Sequence, residues 1–169
     1  FLASCLALVT SVQRATAADG ASPTSLKFAF GPSKAPAGYI QVMPDMAYSK
    51  ERGFGFEPGA DLKAGGADAP RGSITSDKPF FFSVALPEGN YKVTATFGDA
   101  QAATDNTVNA ELRRLMVERI QTGPGKFETR SFIVNVRTPA ISTGGEVRLG
   151  AREKTSEIWA WDDRLSLEF

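Results

Sequence analysis

The sequence predicts an all-β fold, a mainly antiparallel sandwich or jelly roll, and three observations carry that expectation. Apolar residues recur every second position in several short runs, Gly and Pro punctuate the gaps between runs, and no long stretch keeps a helical apolar period. The 169 residues, 42% hydrophobic and 22% charged, suit one globular domain.

The alternation is clearest in four runs. Leu26, Phe28 and Phe30 form the first; Tyr91, Val93, Ala95 and Phe97 the second; Phe132, Val134 and Val136 the third; Leu165, Leu167 and Phe169 the last. Each reads as a half-buried strand, because successive side chains on a strand point to opposite faces. Residues 39–43, 80–86, 107–112 and 146–149 are further strand candidates, separated by turn chemistry at 87–90, 123–125 and 144–145. Residues 109–120 (NAELRRLMVERI) also fit a helix, with Leu112, Leu115, Met116 and Arg119 at helical spacing. An all-β context absorbs that run as two strand pieces around Arg113 and Arg114, and strand is the expectation.

The first 17 residues are expected to lie outside the fold. Residues 1–12 (FLASCLALVTSV) have the length of a signal-peptide core, too short to span a bilayer, and Ala15 and Ala17 supply the small residues before a cut. Residues 1–17 are therefore expected to be a signal peptide, 18–25 a linker and 26–169 the domain, exported to the periplasm or outside the cell. Leu2, Ala3, Ser4 and Cys5 also match a lipoprotein box, but apolar residues rather than a polar tether follow Cys5, which favours ordinary export. Cleavage takes away the sole cysteine, so the mature domain must hold itself by its core.

Composition narrows the chemistry. With 19 basic and 19 acidic residues and no histidine, the chain has no general attraction for nucleic acid and no imidazole for a Ser-His-Asp relay or a His-ligated zinc. Gly98 and Asp99 imitate the start of a Gly-Asp-Ser esterase motif, but Ala100 stands where the serine belongs, and the three read as a turn. Asp162 and Asp163 are adjacent, so on a strand they would face opposite sides and could not flank one glycosidic bond as acid and base. They read as surface carboxylates, or as part of a calcium site.

Residues 44–79 form the longest irregular piece, a functional loop or the cover of a short strand. Tyr48, Phe54 and Phe56 lie in it, and the rings are core fillers on a strand face or a surface on which sugars stack. Trp159 and Trp161 share parity on a strand and pose the same choice. Arg113 and Arg114 are a solvated face or a clamp for the carboxylates of pectic sugars, because a guanidinium grips a carboxylate at two points. Tyr48, Arg113, Arg114, Trp159 and Trp161 are thus the candidate carbohydrate-binding residues.

Several phrases together resemble a known family. Residues 26–32 (LKFAFGP), 38–42 (GYIQV), 48–56 (YSKERGFGF), 79–84 (PFFFSV), 86–91 (LPEGNY), 111–116 (ELRRLM) and 159–163 (WAWDD) are similar to the amino-terminal galactose-binding-like domain of bacterial rhamnogalacturonan acetylesterases. In that family the sandwich precedes a GDSL/SGNH-type hydrolase domain that removes acetyl groups from pectin, with its catalytic groups downstream of any residue present here. The resemblance implies a galactose-binding-like jelly-roll β-sandwich, an exported setting and an esterase domain of the same polypeptide as partner. It also implies a structural calcium with Asp163 on the last strand as a ligand, although the usual acidic partner on the first strand is missing from 26–30. The leading expectation is a non-catalytic sandwich of a secreted carbohydrate esterase. A self-standing module for pectic glycans and a purely structural spacer are the alternatives.

Overall fold

The computed structural model describes residues 4–14, 25–59, 61–65 and 72–169. The strands make two sheets. One runs in the order β10 (Arg114–Thr122), β9 (Thr104–Ala110), β12 (Arg164–Glu168), β7 (Phe81–Ala85) and β4 (Phe54–Phe56). The other runs β11 (Glu128–Val136), β8 (Gly89–Phe97), β1 (Ser4–Arg14), β2 (Ser25–Phe30) and β3 (Ile40–Val42), with β6 (Ser73–Ser76) on β1 and β5 (Lys63–Gly65) on β6. Among the described residues the strand pairings are antiparallel except β2 with β3. The expected all-β sandwich is the fold.

The two inner faces make the core from the alternating residues. Tyr91, Val93, Ala95 and Phe97 are buried along β8, and Phe132, Val134 and Val136 along β11. Against them stand Val108 and Ala110 of β9 and Leu165 and Leu167 of β12. Phe82 is the hub of an aromatic cluster, its ring 5.0 to 6.5 Å from those of Phe28, Phe30, Phe54 and Phe56. Phe56 is therefore core and Phe54 packs beside it, which settles both rings as structural. The buried Tyr91 hydroxyl donates to the Pro87 carbonyl at 2.6 Å, satisfying a polar tip at the edge of an apolar interior.

Residues 109–120 divide as the all-β context requires, into the end of β9 and β10 around a turn at 111–113. Register with a neighbouring strand outweighs helix propensity here: Val117 pairs opposite Val108 and is buried, while Leu115, on the would-be helical stripe, is 55% exposed. Gly98, Asp99 and Ala100 leave β8 in a turn, as expected. Asp99 is buried and accepts from the Ser73 hydroxyl and from the amides of Gln101 and Ala102. Burial works to raise its pKa, but these three hydrogen bonds outweigh it and hold the carboxyl below its ordinary value.

Two segments differ from expectation, while residues 44–79 hide short strands as one reading of them allowed: β4, β5 and β6 are three or four residues long, too short for apolar periodicity to reveal. Residues 146–149 are not a strand; only an isolated bridge joins Ala140 to Glu146, and Val147 is 41% exposed, with no sheet face to bury it. The segment read as a leader forms β1, which lies between β8 and β2. Its run of Val9, Thr10 and Val12 has strand as well as leader character, and three strands offer it open hydrogen-bonding edges. The expected cut after Ala17 and most of the expected linker lie outside the described residues. Among the described residues no helix is long and apolar enough to cross a membrane.

Candidate functional site

A glycine fixes the first part of the site. Gly55, at φ 149°, has no room for a side chain: a Cβ there would lie 2.5 Å from the Tyr48 nitrogen and 2.6 Å from the Ala47 carbonyl carbon. The chain at 46–48 thus lies directly on β4, with Tyr48 N donating to Phe56 O and Phe56 N to Met46 O, both at 2.9 Å. This brings the Tyr48 ring beneath the Arg164 guanidinium, 5.0 Å from its centroid. Arg164 opens β12, and its Nε and Nη2 donate to Asp162 Oδ2 at 3.0 and 2.8 Å while Nη1 reaches Glu57 Oε1 at 3.1 Å.

Burial dominates the electrostatics of this cluster. It raises the Asp162 pKa despite the opposing pull of Arg164. Burial likewise works to lower the Arg164 pKa, but the hydrogen bonds and charges of Asp162 and Glu57 overcome it and the net shift is upward. Burial also raises the pKa of Tyr48, against the pull of Arg164. Beside the cluster is a cleft of about 400 Å³, lined by Tyr48, Lys50, Ala85, Ile158, Asp163 and the Asp162–Arg164 pair.

Both aspartates line that one cleft, contrary to the strand parity expected of them. The cause is local: residues 158–160 form a 3-10 turn, closed by Ala160 N donating to Glu157 O and Trp161 N to Ile158 O at 2.8 Å. Those i to i+3 bonds take amides that a ladder would need, and the strand starts only at Arg164. Trp159 and Trp161 therefore share no strand face. Trp159 meets Phe81 edge-on at 5.0 Å. Trp161 carries the Arg137 guanidinium 4.2 Å over its ring and donates through Nε1 to Glu153 at 3.1 Å. Both are half-buried, neither core nor a bare platform.

Arg113 and Arg114 lie on the other side of the 3-10 turn, at the β9–β10 connection. Glu111 and Leu112 are left-handed there, at φ 49° and 76°, a region that costs a non-glycine residue about 1 kcal/mol or more. Glu111 is nevertheless buried, its N donating to Ser166 O at 3.0 Å and its Oε1 accepting from Ser166 N at 3.0 Å. A small cleft of about 190 Å³ is lined by Glu111, Leu112, Arg113, Arg114 and Glu157. Arg113 Nη2 stands 3.8 Å from Glu157 Oε1 with its side chain 84% exposed, a loose pair that leaves the guanidinium accessible to a ligand.

The two clefts are neighbours, since Glu157 lines one and Ile158 the other. Tyr48 and Asp163 thus line one cleft and Arg113 and Arg114 its neighbour, while the tryptophans line neither. Arg164 and Glu111 went unread in the sequence: an arginine after two aspartates and a glutamate before two arginines look like ordinary surface charges. Asp163 has little to hold calcium with. It is exposed beside Arg164 and Lys50, the Asp162 oxygens are engaged by Arg164, and no three side chains of metal-binding type converge among the described residues. Those residues do not fit the ion.

A third polar groove, of about 260 Å³, is lined by the 76–79 connection, by Asp105, Thr107 and Asn109 of β9 and by Glu168 of β12. Its carboxylates are engaged, Asp105 by Arg119 and Gln121, Glu168 by Asn109 and Asp77 by Lys63.

An antiparallel sandwich with polar clefts formed by the connections at one end is the build of a galactose-binding-like domain. The model of the beta-agarase/YXIM esterase-like, galactose-binding domain-like family matches residues 26–129, more than half of the chain, and the chain belongs to that family. It is 30% identical over 155 residues to beta-agarase A of Zobellia galactanivorans, an alignment covering 82% of this chain and 28% of that protein. The crystal structure of protein YXIM from Bacillus subtilis is similar at 23% identity and a TM-score of 0.48, over 85% of this chain and 38% of that one. The chain thus spans less than a third of the length of its curated relative.

Proposed function

We propose that this domain is the non-catalytic, glycan-contacting sandwich of a longer exported carbohydrate-active enzyme, an acetylesterase acting on rhamnogalacturonan. The convergence of Tyr48, Arg113, Arg114 and Asp163 on adjacent clefts beside the 158–160 turn supports this most directly. Arginines suit the carboxylates of a uronate backbone, and an aromatic edge with hydroxyl and carboxylate neighbours suits sugar hydroxyls. The family relationship and the resemblance to rhamnogalacturonan acetylesterases support the parent enzyme, whose hydrolase domain supplies the nucleophile and the base. This chain, having no histidine, contributes binding and placement of the polymer. Export is the reading of the apolar run and small residues of 1–17 as a leader, a character that competes with their place in β1.

Calorimetric titration with rhamnogalacturonan oligomers tests the reading. Binding is expected, weakened at least tenfold in Tyr48→Ala and in the Arg113→Ala/Arg114→Ala double variant. Deacetylation of the same oligomers by this chain is expected at background. Absence of binding, with a folded protein, would reduce the domain to a spacer, and turnover would refute the non-catalytic assignment.

A further inference from the structure

One buried ionisable group at the arginine turn is used by nothing in the binding scheme above. Glu111 is held by two bonds to Ser166, at a backbone conformation that costs free energy, and it lines the cleft of Arg113 and Arg114. Capping the Ser166 amide needs no charge, because an asparagine or glutamine oxygen accepts as well. Among the described residues the carboxyl has no hydrogen bond other than that from Ser166, and Glu111 lines the cleft, so its remaining bonding capacity can serve a ligand there. An acid in that position can exist in two states, and only one of them is compatible with an anion in the cleft.

We propose that Glu111 and the Arg113–Arg114 turn form a binding site for a carboxylate, that of a uronate residue of the glycan, which is occupied only while Glu111 holds a proton. This rests on the glycan-binding reading and names the ligand group and its control. The protonated carboxyl donates its O–H to the ligand carboxylate while the arginines neutralise the ligand's charge. Ionised, Glu111 would add a third negative group to those of the ligand and Glu157, against two arginines, which strongly disfavours the ligand. The surroundings favour the proton. Burial is the largest influence and pushes the Glu111 pKa up to about 7; the Ser166 amide opposes it, Asp162 adds to it, and Arg114 and Arg137 oppose it. Arg113 on the turn and Glu157 on the excursion that packs over it face the same cleft with opposite charges.

Affinity therefore falls as pH rises through neutrality. With binding restricted to the protonated form, the apparent Kd at pH 8.5 is about 30-fold weaker than at pH 5.5. The test is calorimetry of a galacturonan trisaccharide at both pH values, in buffers of different ionisation enthalpy, with its methyl ester as the uncharged control. The expected result is the stated loss, uptake of nearly one proton per site at pH 8.5, and weak, pH-independent binding of the ester. Glu111→Gln, fixed in the uncharged form, is expected to lose the pH dependence. Trisaccharide binding of equal strength at both pH values, or a Glu111→Gln profile that follows the original, overturns the proton coupling and leaves glycan binding intact. Ester binding as tight as the acid overturns the carboxylate site, and no binding of either sugar overturns the glycan reading as well. Should the glutamine variant fail to fold, the carbon resonance of the Glu111 carboxyl decides: its titration midpoint must move up when the trisaccharide is added, and a fixed midpoint overturns the proposal.

Discussion

Replacing Glu111 by glutamine changes one atom and removes one titration, so the energetic weight of that titration can be measured directly. In the fold the pKa rises from an ordinary 4.5 to about 7, chiefly by burial. The folded state thus binds the proton more tightly than the unfolded state. Its stabilising contribution is complete below pH 4.5 and is lost as pH rises through 7. At about 1.4 kcal/mol per pKa unit, the loss is on the order of 3 kcal/mol. Glutamine keeps an oxygen for the Ser166 amide and cannot ionise, so it mimics the acid form. Urea unfolding of both proteins at pH 4.5 and at pH 8.5 measures the effect. Glutamine is expected to gain about 3 kcal/mol relative to glutamate between the two conditions, about 6 to 12 °C in Tm for a domain of this size. Asp162, whose pKa is also raised, titrates in both proteins and cancels in the comparison. Parallel stability curves for the two proteins would refute the placement of Glu111 as a buried acid.

Other outcomes follow from other parts of the fold. Gly55→Ala should cost about 2 kcal/mol or more in chemical denaturation, because its Cβ would overlap the Tyr48 and Ala47 backbone, and it should weaken glycan binding by moving Tyr48. Phe82→Ala, at the centre of the aromatic cluster, should cost about 3 to 5 kcal/mol by the same measurement. A chain of residues 18–169 lacks the strand between β8 and β2 and is expected to lose cooperative unfolding; a cooperative transition with native-like circular dichroism would instead support the cleaved leader. Adding calcium or a chelator should leave Tm unchanged within about 1 °C, and a larger rise with calcium would show a site that the exposed Asp163 does not suggest.

The parts legible in sequence share one property: they repeat. Tyr91 through Phe97 and Phe132 through Val136 announce strands because every second side chain must enter the same core. The segment at 109–120 was less clear, and the sheet decided it by giving Val117 and Ile120 an inner face and leaving Leu115 outside. Residues 159–163 misled because two tryptophans at alternate positions imitate a strand, whereas i to i+3 bonds turn the chain there. Of the candidate residues, Tyr48, Arg113, Arg114 and Asp163 were visible by type, but nothing local foretold that they would meet, or that Trp161 would spend a ring face on Arg137.

By itself the sequence determined the sandwich, the alternating strands that supply much of its core and the lack of an imidazole, since these depend on periodicity and residue type alone. Only the tertiary structure decided the site. Glu111 and Ser166 are 55 positions apart, and Arg164 and Glu57 107 apart. A pKa set by burial and a cleft set by backbone contact at Gly55 exist only once distant strands have packed and water has been excluded from between them.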